Sequence, residues 1–287
     1  MPTEPPAPAD TGLFGPGSVT WRVHTEPILF LAGFRALFLQ ALHPRAIAGV
    51  TQNSGYKADP WGRFLRTVEF VSTTIHGTTE QAEAMGRRVR AVHARLSAVD
   101  PATGERFRID EPELLRWVHV TEVESYASTA RRAGVRLTAA DWDGYFDEQR
   151  RRAALVGLDP ATVPGSTAEV AEYFREIRPR LRMTREAADT LVFLATPPPP
   201  WQASSLRARV LDRLGRPPFR LTTLGVATTA FALLPGWARR LYGMPGLPST
   251  DLAATVSARA LRLALHAVPQ RLFAALPGPP PPAPAAT

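Results

Sequence analysis

Apolar side chains in this chain recur at steps of three and four residues in segment after segment. Period-two alternation rich in β-branched residues is missing almost throughout. Such a pattern buries its apolar surface as helices and offers a sheet little to pair. The expectation is an all-α fold: one large helical domain over 13–276, with about nine to eleven helices. The ends, 1–12 and 277–287, read as disordered Pro-rich tails (PGPPPPAPAAT at the C-terminus). The tetraproline at 197–200 reads as a rigid bend within the domain.

The most informative stretch runs from Asp59 to Leu96, two amphipathic segments joined at His76-Gly77-Thr78-Thr79. Asp59-Pro60 starts the first, which places Arg63 and Thr67 on one helical face with Arg66 beside them. Thr79 reads as the N-cap of the second, with Glu80 and Glu83 in its first turn. Ala82, Met85, Val89, Val92 and Leu96 then mark a buried stripe, and His93 lies inside it. An imidazole there needs a partner, a backbone carbonyl or a metal, since an unpaired buried polar group costs about 1–3 kcal/mol.

Composition excludes several classes. With no cysteine, disulfides, iron–sulfur clusters and thiolate-ligated haem are ruled out. Net charge is +8, and Lys57 is the only lysine among 34 basic residues. Acids and bases are interspersed (GERFRIDEPELLR, DEQRRRAALVGLD), and no nucleic-acid-binding motif occurs, so nucleic acid is not the expected partner. No secretory signal is present, and no apolar run reaches 18 residues. A cytoplasmic protein is expected, with peripheral membrane contact left open.

Elsewhere, Val19–Ala48 reads as mostly helical with breaks near Pro27 and at His43-Pro44, and Gly33 and Ala36 leave room for a helix or a flat cofactor. In Glu111–Arg132, His119 is a second inward histidine, with Glu122 placed to hold it. Helices are also expected over 139–155, 167–176, 184–194, 201–214, 219–234, 237–242 and 251–273. His43, at a helix end, reads as structural or catalytic, and His76 as a cap or surface residue. No HExxH or HxH pattern supports zinc or non-haem iron locally.

Taken in order, WRVHTEP with Arg22 and Glu26, RALFLQALHPRAIAGV, SGYKADPWGRFLRT, HGTTEQA, RVRAVHARL, ELLRWVHVTEVES and LLPGWARRLYG resemble the haem-dependent oxygenases that include the MpaB-type and latex-clearing rubber oxygenases. The resemblance covers roughly 15–245. It implies a pocket for haem b, an apolar substrate (isoprenoid or lipid-like), dioxygen, and an electron donor yet to be identified. It places His93 as axial and metal ligand, with His119 the competing ligand. Arg63, Arg66, Thr67 and His43 become the catalytic set, Arg63 also serving a haem propionate. Where the rubber oxygenases carry Arg-x-x-Lys-Thr, this chain has Arg63-Phe-Leu-Arg66-Thr67. Arg66 stays protonated and cannot cap an iron as the lysine does. Other readings are a haem protein without turnover, a structural or membrane-peripheral helical protein, and a non-haem oxygenase built on His43, His93 and His119.

Overall fold

The computed structural model describes residues 10–200 and 206–268. The chain begins with α1 (Val19–His24), α2 (Leu29–Ala41) and α3 (Pro44–Asn53), followed by the antiparallel pair α4 (Pro60–His76) and α5 (Thr79–His93). Strands β1 (Ser97–Val99) and β2 (Arg106–Arg108) make one short hairpin. The rest is α6 (Pro112–Arg132), α7 (Ala139–Leu155), α8 (Thr167–Ile177), α9 (Arg185–Ala195), α10 (Leu206–Ala232), α11 (Gly236–Leu241) and α12 (Pro248–Ala267). The described residues are thus all-α apart from that hairpin, with twelve helices. The predicted disorder of residues 1–9 and 277–287, and the helix extension over 269–273, lie outside the described residues.

Local chemistry starts most of these helices where the sequence places them. Ser18, Asp59 and Thr138 cap α1, α4 and α7 by accepting backbone N–H groups, and Pro60 and Pro112 open α4 and α6. For α5 the cap moves by one residue: Thr78 accepts from Gln81 N, and Gln81 returns a bond to Thr78 N. That reciprocal box satisfies two free donors, which Thr79 alone could not do. Asp10, expected in the N-terminal tail, bonds Thr79 through both carboxylate oxygens.

The core is organised on α2 packed against α6, with α10 closing the other flank of α2. Leu31, Phe38, Leu39, Trp117, Val120 and Ala127 are buried there. Arg35 pins the three helices: it grips Glu124 with two nitrogens (2.6 and 3.1 Å), Ser125 Oγ at 2.7 Å and the Leu233 carbonyl at 3.0 Å. Every donor that this buried guanidinium commits has an acceptor, the condition for burying a charge at tolerable cost.

Two differences from the sequence reading have physical causes. The expected break between 214 and 219 is not seen; α10 continues through Pro217 and Pro218. Both prolines are exposed, so their rings displace no packed neighbour, and the helix runs on with two fewer backbone donors. On α5 the buried stripe is Ala82 and Gly86 with Met85 and Val89 at its edge, while Val92 is 52% exposed. Gly86 sets this rotation: a Cβ there would lie 2.7 Å from the Leu155 carbonyl oxygen of α7.

Candidate functional site

His93 ends α5 on the continuation of that stripe and is half-buried. Its Nδ1 is buried and has no hydrogen-bond partner. Burial holds its pKa below the ordinary histidine value, Asp110 opposing and the Arg63 guanidinium adding to the shift. A neutral imidazole with an uncommitted nitrogen is what a metal ligand requires. Asp110 arrives through the hairpin: Ser97 pairs with Arg108, and Ile109 N bonds Leu96 O at 3.3 Å. Its carboxylate is held by Arg108 (2.8 and 2.5 Å).

Across from His93, Arg63 sits in the first turn of α4, half-buried, with no carboxylate or carbonyl partner for its guanidinium among the described residues. Burial lowers its pKa first, and the neighbouring Arg66 adds to that. Arg63, Thr67, Phe70 and Thr74 follow one another at steps of four, three and four on one face of α4. Thr74 at the end of this line is buried, yet Thr67 in its middle is exposed, its Oγ1 donating only to Arg63 O. Arg66 points elsewhere, to Asp59 at 3.3 Å. Thus His93 and Arg63 come together, while Arg66 and Thr67 reach neither of them through a side-chain bond.

Space is open on the central helices too. Gly33, Leu37 and Gln40 share a face of α2. A Cβ added at Gly33 would meet nothing within 4 Å, and Leu37 is 39% exposed in the middle of a core helix. Gln40 donates to the Val118 carbonyl of α6 at 3.3 Å, and Val118 is likewise 39% exposed. On the outer side of the α4–α5 pair lies a groove of about 760 Å³, lined by Leu65, Arg66, Glu69, His76 and Met85 among others, and it includes neither His93 nor Arg63.

The remaining histidines fall apart from this pair. His43 is the buried N-cap of α3: Nδ1 accepts from Ala46 N at 3.3 Å, Nε2 lies 3.9 Å from Glu113, and the ring tilts against Trp117. It caps α3, while its Nε2 is buried without a hydrogen-bond partner. His119 is buried with an unpartnered Nε2, its pKa pushed down to about 3 by burial and by nearby Arg152. Glu122 does not hold it. That carboxylate instead binds Arg152 at 2.5 Å and Tyr126 Oη at 3.2 Å, because a buried guanidinium is the stronger claimant. His76 ends α4 half-buried at the edge of that groove, packs edge-on to Trp21 at 4.5 Å and has an unpartnered Nδ1. No group of three metal-ligating side chains forms among the described residues, so His43, His93 and His119 do not assemble the non-haem centre considered above.

His24 carries no signal of its own in the sequence. Its Nε2 meets Tyr145 Oη at 3.1 Å and its ring lies edge-on to Tyr126, with burial holding the imidazole neutral. Together with Arg152, Glu122 and Gln149, which donates to Thr20 Oγ1 at 3.1 Å, it forms a buried polar layer joining α1, α6 and α7. A histidine on a six-residue helix has too short a stripe to betray its direction.

The family model of the ER-bound oxygenase mpaB/B'/rubber oxygenase catalytic domain matches residues 21–267. The chain belongs to this oxygenase family. The match takes in every helix from α2 to α12, the His93–Arg63 pair included. A tRNA dimethylallyltransferase of Anaeromyxobacter dehalogenans is 33% identical over 143 residues, which cover 45% of this chain and 42% of that protein. The chain therefore spans less than half of that relative's length. No solved structure matches. Among the described residues no helix is long and apolar enough to cross a membrane.

Proposed function

We propose that this member of the oxygenase family binds haem b through His93 and oxidises an apolar, isoprenoid or lipid-like substrate with dioxygen. The observation that carries the reading is the conjunction at the α4–α5 end: an imidazole nitrogen without a partner beside a half-buried guanidinium without a counter-ion. One lacks a ligand and the other an anion, and a haem with its propionates would answer both. Leu37 and Val118, each 39% exposed on neighbouring core helices, are apolar surface that a greasy substrate could cover.

In this reading His93 holds the iron, and Asp110, itself fixed by Arg108, keeps an acceptor near the same imidazole. Arg63 binds a propionate. Leu37 and Val118 present apolar surface that orients substrate and excludes water. When bound, haem b supplies an iron centre able to activate dioxygen. Thr67, whose hydroxyl donates to the Arg63 carbonyl, would steady the turn of α4 that carries the Arg63 guanidinium. His119 and His43 take no direct part. Electron supply falls to a separate donor.

Cofactor analysis and oxygen uptake test the proposal together. Protein purified from haem-replete cells is expected to carry about one haem and no zinc, and to consume oxygen with an isoprenoid test substrate. Haem without uptake on any apolar substrate would leave a carrier or sensor in place of an enzyme; colourless protein that does not take up haem would end the proposal.

A further inference from the structure

Helix α12 is amphipathic on the wrong side for a helix that only closes a core. Ala254 and Ala258 face inward and are buried, yet the outward line of Leu252, Val256, Ala260 and Leu263 is exposed, Leu252 and Leu263 by 67% and 68%. At its flank, α12 and the turn after α6 border an open groove of about 380 Å³ lined by Val135, Arg136, Arg259, Arg262 and Leu263. Arg262 is spoken for, clamped with His266 on Glu26. Arg136 and Arg259 are exposed and have no carboxylate partner among the described residues, and Arg259 lies over Gly134, whose φ is +86°. From Leu252 to the C-terminus the sequence holds no aspartate or glutamate.

We infer that α12 is a docking surface for an anionic lipid bilayer, with Arg136 and Arg259 meeting headgroup phosphates and Leu252, Val256 and Leu263 entering the acyl boundary. The two features point to one occupant. Apolar side chains beside unneutralised arginines complement a surface that is greasy inside and negative outside. A two-fold pairing of α12 on itself would bring the arginines of one copy beside those of the other, and residues beyond 268 add Arg271 but no acid to neutralise the pair. Docking through one helix needs no spanning segment. The inference is independent of haem binding.

Cosedimentation of the full-length protein with vesicles of phosphatidylcholine, alone or mixed with phosphatidylglycerol, tests it. The protein is expected to follow the mixed vesicles and to be released by salt. Arg136→Gln/Arg259→Gln is expected to weaken binding about thirtyfold and Arg136→Lys/Arg259→Lys to retain it, since each cation near such a surface contributes about a factor of five. Leu252→Ser/Val256→Ser/Leu263→Ser should reduce binding by at least about tenfold while leaving the thermal midpoint in place, because all three side chains are exposed. Wild-type protein remaining in the supernatant with both vesicles, or variants that sediment as well as wild type, would overturn the inference. So would a dimer in light scattering that the serine variant converts to monomer, since the face would then be a protein interface.

Discussion

Two helical glycines respond to the same substitution in opposite directions. At Gly86, a new Cβ would lie 2.7 Å from the Leu155 carbonyl oxygen and 3.0 Å from Leu155 Cβ, and the nearer atom is backbone that cannot rotate away. Overpacking of that kind costs about 2–3 kcal/mol, against about 1 kcal/mol gained from alanine's better helix propensity. Gly86→Ala should therefore lose about 1–2 kcal/mol, a fall in Tm of about 2–8 °C for a domain of this size. At Gly33 nothing lies within 4 Å of the same atom, so only the propensity gain of about 1 kcal/mol remains and Tm should rise by about 2–4 °C. Differential scanning calorimetry of both variants as apoprotein measures the pair. A Gly86→Ala midpoint at or above wild type would refute the close α5–α7 seating that aims His93 inward. A Gly33→Ala midpoint below wild type would refute the open space beside α2.

Other outcomes follow from the buried polar groups of α6 and α7. Arg152→Met leaves the Glu122 carboxylate without its 2.5 Å partner, and equilibrium urea unfolding should show a loss of about 3–5 kcal/mol; adding Glu122→Gln should recover much of it. His119 is held neutral, with a folded pKa of about 3 against about 6.5 unfolded, so below pH 6.5 the unfolded state binds more protons and stability falls. Urea midpoints should therefore show about 2 kcal/mol lost at His119 between pH 6.5 and 5, a loss that His119→Gln removes.

Helix positions and the all-α class were legible because 3.6-residue periodicity and caps are local properties, as at Ser18, Asp59 and Thr138. What stayed hidden depended on neighbours. Spacing alone carries the α5 stripe through Val92, since the close approach of α7 at Gly86 that turns the helix is not a local property. Spacing pairs Glu122 with His119, while Arg152, thirty residues on in another helix, takes it in space. His93 and Arg63 were singled out by resemblance and by their place in the stripes; their electrostatic contact became visible only with the antiparallel α4–α5 pairing.

The most direct measurement is the absorption spectrum of the purified protein, before and after dithionite and carbon monoxide, for wild type, His93→Ala and His119→Ala side by side. Wild type and His119→Ala should show the same Soret band and carbonyl complex, and His93→Ala should lose them while keeping its helical circular dichroism. An unchanged spectrum with full haem in His93→Ala would contradict the assignment of His93 as the iron ligand.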